Sequence, residues 1–539
     1  MKFDYIIVGA GSAGCVLANR LTENPEVTVL LLEAGSSDKK QEVHIPAAYT
    51  KLHYSEVDWG YHTVPQPFVK NRKMYQPRGK VLGGSSSTNC MAYIRGNKLD
   101  YDEWRDLGNP GWGYEDVLPY FKKAENNQQF VDQYHGQGGP LNITHATRWK
   151  NPLGEAFVNS CIECGIPANK DFNGAKQEGA GLFQFTIKKG KRHSTATAFL
   201  KPALKRKNLL VITEAHIQRV MLDNSRALGV EFLTDGALDW AYAEKEVILS
   251  AGAFNSPQIL MLSGIGPVDQ LKLKGISAVT DLPGVGQNLQ DHLISGISAL
   301  ATKKNTLNSA ENFWNILRYF LFKQGPFTTS PLQACAFLKT KKGLDRPDMQ
   351  FHFAPAHSTD IHDIEVFPYG VDGFSILPTL LRPKSVGSVT LNSNNPMEAP
   401  VIDPNYFSDE GNEDYEAMMA GMRMARMVLE SDAFAPFRKE IHFPTNYKDD
   451  KALSEHMLSV VETCYHPVGT CKMGMDSMAV VDSRLLVHGY KNLRVVDASI
   501  MPTVISGNTN APVIMIAEKA ADMIKQDSNM KVYQRGALL

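Results

Sequence analysis

Phe3-Asp4-Tyr5-Ile6-Ile7-Val8-Gly9-Ala10-Gly11-Ser12-Ala13-Gly14 is the stretch that decides the fold. Phe3–Val8 is short, apolar and rich in β-branched residues, the pattern of a strand buried on both faces. Glycines follow at once, then Cys15–Glu23 reads as a helix and Val27–Gly35 as a second buried strand. Strand, glycine turn, helix and strand make one βαβ unit of a parallel sheet. Gly9 permits the tight turn, Gly11 lets backbone N–H groups approach a pyrophosphate, and Gly14 lets helix and strand pack closely. Ser12 and Ala13 open the helix, whose N-terminus carries partial positive charge toward phosphates. Glu33 ends the second strand, where an acid hydrogen-bonds ribose hydroxyls and repels the extra phosphate of NADP. The pattern serves NAD and FAD alike.

Composition bounds the remainder. At 539 residues the chain predicts two joined lobes. Hydrophobic content of 43% and charged content of 21% are those of a folded globule. A formal net charge of -1 gives no basic excess to neutralise phosphates, so nucleic acid is not an expected partner and a small molecule is. The opening lacks the long apolar stretch of a secretory signal, and no window of about 18 uninterrupted apolar residues spans a membrane. Seven cysteines do not form a disulfide framework. The Cys161/Cys164 pair has no second pair or His cluster beside it and reads as buried helix positions, with no metal site expected. A reducing, cytoplasmic setting is predicted.

Further along, Leu209–Thr213, Ile217–Leu222, Ala227–Leu233 and Glu246–Gly252 read as strands, and 411–431 and 450–463 as helices. Residues 40–110 are loop-dominated. Two more glycine-rich segments follow: Arg78-Gly79-Lys80-Val81-Leu82-Gly83-Gly84-Ser85-Ser86-Ser87-Thr88-Asn89, and Gly252-Ala253-Phe254-Asn255-Ser256-Pro257-Gln258 running to Gly266. The first can lie flat against a ligand and offer backbone donors. The second is another strand-to-helix edge of the kind that meets a cofactor.

Together with Tyr465-His466-Pro467-Val468-Gly469-Thr470, Leu493–Pro502 and Gly507–Pro512, these segments closely resemble the glucose–methanol–choline (GMC) oxidoreductases, nearest to their bacterial alkanol and choline dehydrogenases. The resemblance runs from about residue 3 to 525. It implies an α/β fold, with α+β character in the second lobe. An FAD-binding domain would span 1–300, a substrate domain on an antiparallel sheet 301–470, and a return to the first domain 471–539. It also implies FAD contacts at Ala34, Arg78, Gly83, Gly84, Asn89, Cys90, Met91, Ala92, Ala251, Gly252, Asp497, Ala498, Asn510, Ala511 and Pro512, with Val220 at the adenine. Thr88 stands where covalent members carry a His, which implies a dissociable flavin.

Oxidising an alcohol removes a proton from oxygen and a hydride from carbon, and so requires a base with a pKa near working pH. By the matching motif that base is His466, and the expected hydrogen-bonding partner of the substrate oxygen is Asn510. Pro512 suits the first turn of an amphipathic C-terminal helix, whose positive end would then face the flavin. His352 alternates with Phe351 and Phe353 and, with Tyr465, is a candidate substrate contact. The expected reaction is conversion of a primary alcohol to an aldehyde by hydride transfer to flavin N5, with electrons passed to a quinone or dye. The alternatives are an oxygen-reducing alcohol oxidase, a choline dehydrogenase, and a flavin-bearing lyase or photodecarboxylase. Residues 311–324 carry an apolar face that admits two readings: a lid or core helix over the cavity, or an in-plane contact with the inner membrane face.

Overall fold

Strand Lys2–Val8 lies inside a sheet whose order runs Leu209–Ile212, Val29–Leu32, Lys2–Val8, Ala237–Leu249, Arg226–Thr234, His216–Asp223. The first four strands are parallel, with Tyr5 opposite Val29 and Val8 opposite both Leu32 and Leu249. Leu493–Val495 returns from the far end of the chain to pair in parallel with Ala237–Leu249. The last two strands form an antiparallel ribbon at the edge. Helix Ser12–Leu21 packs on this sheet and helix Asn510–Gly536 packs against that helix; with the sheet they form the largest hydrophobic core among the described residues. The computed structural model describes residues 1–149, 151–357 and 371–536.

The second sheet is antiparallel, in the order Arg438–Phe443, Ile297–Ala301, Gly373–Leu380, Met349–Ala354, Ala334–Leu338, Gly179–Leu182. It shares a core with the helix Glu413–Glu430. Its strands Gly179–Leu182 and Leu293–Ile294 precede residue 301 and Ile297–Ala301 straddles the boundary, so the expected boundary there is corrected. The chain crosses between lobes more often than one linear cut allows, because each lobe recruits strands from both sides of it.

The amphipathic helix expected at the C-terminus differs as well. Helix Asn510–Gly536 is buried almost all round from Ala511 to Ile524 and has no wet face there, because helices Ser12–Leu21 and Tyr114–Ala124 both pack against it within the largest core. The Phe313–Phe322 helix is the reverse: Tyr319 is buried, whereas Phe313, Trp314, Leu321 and Phe322 are exposed.

Candidate active site

A cavity opens at the C-terminal ends of the parallel strands, where an α/β sheet binds ligands, and continues to the antiparallel sheet. Gly9, Gly11, Ser12 and Ala13 line one part. Helix Ser12–Leu21 begins without a side-chain cap, and among the described residues no acceptor is recorded for the N–H groups of Gly11, Ser12 and Ala13. Such orphan donors form an anion site. Gly14 acts by fit: a Cβ there would lie 1.9 Å from the Gly9 carbonyl oxygen. Glu33 sits at the end of its strand, accepting from the Ala10 and Gly35 N–H groups, each at 2.8 Å. Burial pushes its carboxyl up to about 7.

The second glycine segment lies across the first. Gly83 donates its N–H to the Ala10 carbonyl at 2.7 Å, and a Cβ on Gly84 would stand 2.7 Å from Gly11 Cα. The buried Arg192 guanidinium then fixes the turn beyond, donating to the carbonyl and side-chain oxygens of Asn89 at 2.6 and 2.8 Å. Asn89, Cys90, Met91 and Ala92 line the cavity behind it. Asp497 closes the third side by accepting from Gly252 N–H and Ser256 Oγ at 2.9 and 2.6 Å. The donors and close approaches fit a flavin dinucleotide. Around Gly252, which lines the cavity, a Cβ would meet no protein atom within 4 Å. The buried Ser250 hydroxyl, also lining it, has no partner among the described residues.

At the antiparallel-sheet end the decisive side chain is His466. Leu293 pairs with Thr463, which sets the Asp291–His292 segment against Cys464–His466. Asp291 accepts the His466 N–H at 2.9 Å and is itself held by Tyr406 and Thr463 hydroxyls at 2.6 and 2.5 Å. Tyr465 adopts φ +66°, a strained value for a bulky residue, and its carbonyl accepts from Arg78 at 2.7 Å. The imidazole of His466 meets His292 Nδ1 through its own Nδ1 at 2.9 Å, and the Asn508 amide through Nε2 at 3.3 Å.

The tautomers follow from one carbonyl. His292 Nε2 lies 3.0 Å from the Leu381 carbonyl oxygen, which can only accept, so His292 carries its hydrogen on Nε2 and offers a lone pair at Nδ1. His466 therefore donates from Nδ1, and its Nε2 keeps a lone pair beside Asn508. Burial, then the neighbouring His292, His352 and Arg78, hold His466 well below its ordinary pKa, and burial takes His292 down to about 4. Both rings are neutral near pH 7. His352 bonds Thr379 Oγ1 through Nδ1 at 2.9 Å, while its buried Nε2 has no partner among the described residues.

Residues 3–294 match the N-terminal and residues 383–517 the C-terminal domain of the GMC oxidoreductases. The chain belongs to the GMC oxidoreductase family. Mitochondrial choline dehydrogenase of Mus musculus is 43% identical over 99% of this chain and 92% of its own. Alcohol dehydrogenase (acceptor) of Pseudomonas putida is 43% identical over 98% and 96%. Among solved structures, a pyridoxine 4-oxidase from Mesorhizobium loti superposes with a TM-score of 0.88 at 31% identity, covering 96% of this chain and 98% of that one. Formate oxidase gives 0.91 at 29% identity, covering 98% of each. This GMC oxidoreductase is thus an FAD-dependent enzyme.

Set against the sequence, the structure of this GMC chain brings His466, Tyr465, His352, Arg78, Ala34, Ala251, Ala498 and the Asn89–Ala92 run to one cavity. Asn510 is a correction. It stands at the start of its helix and accepts from Ser12 Oγ at 2.7 Å, so it belongs to the phosphate end, and Asn508, two residues earlier, is the amide at His466. Val220 is a second correction: its side chain is in the core and its N–H donates to Ser263 Oγ, while His216 and Ile217 at the start of that strand, and Ala215 just before it, line the cavity. Gly83, Ala511 and Pro512 do not line the cavity themselves, although their neighbours Gly84 and Asn510 do. The lid or core reading of 311–324 falls as well, since none of these residues lines the cavity.

His292, Asp291, Asn508 and Arg192 were missed. Asp291 and His292 stand side by side in Gln287–Leu293, an acid next to an imidazole among three amides and two leucines, a readable signal.

Proposed function

We propose that this enzyme oxidises an uncharged primary alcohol to the aldehyde, with His466 as the base. The observation that carries the reading is the neutral His466 Nε2 turned to the cavity beside Asn508, with Nδ1 committed to His292. His466 takes the hydroxyl proton at Nε2 and becomes a cation whose Nδ1–H bond to His292 strengthens. Asn508 presents an amide N–H toward the oxygen as negative charge grows there. The unpartnered His352 Nε2 is a further polar group available to the substrate oxygen. FAD, when bound, supplies the acceptor for the hydride that leaves carbon. Its attachment is non-covalent in this reading, since Thr88 offers no imidazole.

The cavity wall supports an aliphatic or aromatic substrate over a cationic one. The antiparallel-sheet side presents Ile294, Leu332 and Leu377. The lining carboxylates are already engaged: Glu33 and Asp497 as above, and Asp58 with Tyr75 and the Arg78 N–H. A quaternary ammonium would want a free carboxylate in an aromatic cage. Choline stays the second reading, favoured by the mouse relative. The electron acceptor in this reading is a lipid quinone, with the enzyme peripherally seated on a membrane; oxygen is its competitor. Among the described residues no helix is long and apolar enough to cross a membrane.

Anaerobic mixing with alkanols, aryl alcohols, choline and sugars should bleach the flavin with the alkanols or aryl alcohols and leave it oxidised with choline; bleaching by choline alone overturns the substrate assignment. Peroxide formation under air that keeps pace with dye reduction would make the enzyme an oxidase. Acid precipitation should release all the flavin into the supernatant. His466→Ala should lower turnover by roughly 10²–10⁴ while FAD stays bound, and near-normal rates remove His466 from the role.

A further inference from the structure

The Phe313–Phe322 helix carries a cluster of exposed apolar side chains outside the cavity. Phe313, Trp314, Leu321 and Phe322 are 67%, 73%, 63% and 65% exposed, and Ile316, Leu317 and Phe320 lie in the water-facing layer with them. Such an aromatic cluster is out of place on a surface meant only for water. It does not stand alone. The antiparallel hairpin Ile187–Arg192 abuts the helix C-terminus: a Cβ on Gly190 would stand 3.2 Å from the Lys323 carbonyl oxygen and 3.3 Å from Arg148 Cδ. Arg148 donates to that same carbonyl at 3.1 Å.

Arg148, Lys188, Lys189, Lys191, Arg318 and Lys323 thus form a cationic rim beside the aromatic cluster, on a chain whose net charge is -1. The neighbouring acid Glu311 is paired with Lys51 at 2.7 Å. That ion pair also ties the helix to the turn Pro46–Leu52, whose Tyr49 and Leu52 line the cavity; the turn Pro326–Thr328 packs against it from the other side.

We propose that the Phe313–Phe322 helix and the Lys188–Lys191 hairpin form one docking surface for an anionic lipid bilayer. The aromatic residues enter the boundary of the acyl chains while the lysines meet the headgroups, the division of labour of an in-plane interfacial helix. A second copy of the chain fits this surface poorly, because a twofold contact would set the cationic rim against itself. Docked this way, the cavity wall formed by Tyr49 and Leu52 lies next to the bilayer, so a lipid-soluble alcohol or acceptor reaches the site without crossing bulk water. That purpose rests on the functional reading above; the docking does not.

The test is sedimentation of the FAD-loaded full chain with vesicles of phosphatidylcholine alone, and of phosphatidylcholine mixed with phosphatidylserine. The enzyme should sediment with the mixed vesicles, less as salt is raised, and weakly with phosphatidylcholine. Replacing Lys188, Lys189 and Lys191 together by Ala should weaken binding to the mixed vesicles by roughly 100-fold, about fivefold per lysine. The variant Trp314→Ser/Leu321→Ser/Phe322→Ser should lose sedimentation on both, while both variants keep wild-type turnover of a short water-soluble alcohol with a soluble dye. The proposal is overturned if the wild type stays in the supernatant with both vesicle types, or if the Ser variant sediments like it. A solution dimer that the Ser variant converts to monomer also overturns it, in favour of self-association. Failure of the wild type to turn over any alcohol with the dye defeats the functional reading and leaves the sedimentation result standing.

Discussion

The Leu381 carbonyl cannot donate, and through His292 that fact sets which nitrogen of His466 carries hydrogen. His292→Leu removes the acceptor at Nδ1 and leaves the developing cation without a partner. A hydrogen bond to a charged group is worth about 1.5–3 kcal/mol, so kcat should fall by roughly 10- to 100-fold with KM little changed. In His292→Gln the amide can accept from His466 and donate to Leu381, and most of kcat should return. Full kcat in the Leu variant, or equal damage in both, excludes the relay. The two asparagines separate likewise. Asn508→Ala should reduce kcat by about 10² with flavin retained, whereas Asn510→Ala, losing the bond to Ser12, should loosen FAD at near-normal kcat per bound flavin; the opposite pattern in flavin titration and turnover restores Asn510 as the amide at His466. His466 was legible because its motif is distinctive. The choice between Asn508 and Asn510 was not, because it depends on where the helix begins: Asn510 is its first residue, and Asn508 lies before it in the loop.

At the scale of elements, the cofactor cradle is two glycine loops in direct backbone contact. Gly84 has φ +51°, and the Cβ of Gly84→Ala would lie 2.7 Å from Gly11 Cα, an approach that forces the loops apart. The variant should fold and purify with little flavin, read as the ratio of flavin to protein absorbance; full occupancy shows that the contact is dispensable. This part of the fold was plain in the sequence, because buried parallel strands and glycine turns leave local signatures. The second sheet was less so. Gly179–Leu182 joins Ala334–Leu338 across more than a hundred residues, and the pairing of Leu293 with Thr463 that builds the base site is equally remote. Neither strand's composition names its partner. The Phe313–Phe322 helix was located, but exposure is a property of what packs against a helix, and periodicity does not report it.

For the whole molecule, buried histidines tie stability to pH. Burial lowers His193 and His292 to about 4 and His352 to about 3, and holds His466 well below its ordinary value. In the unfolded chain each binds a proton as pH drops through about 6.5. The folded chain does not follow until near 4, so over that window the unfolded state holds more protons and acid favours it. Glu33 acts in the opposite sense, because its folded carboxyl, at about 7, keeps a proton that the unfolded chain releases. His135 does too, on the alkaline side. Burial alone would lower it, but the Asp171 and Glu125 carboxylates outweigh that and raise it to about 9, so its contribution is full below 6.5 and lost as pH rises through 9. The histidines outnumber Glu33 in the acid window, so the thermal midpoint of the FAD-loaded enzyme should fall steadily between pH 6.5 and 4. Each uncompensated proton contributes roughly 1.4 kcal/mol per pH unit. His352→Gln, which removes one such proton, should flatten that slope. A midpoint level across the window would show that these imidazoles are hydrated, and with them the dry pocket around His466.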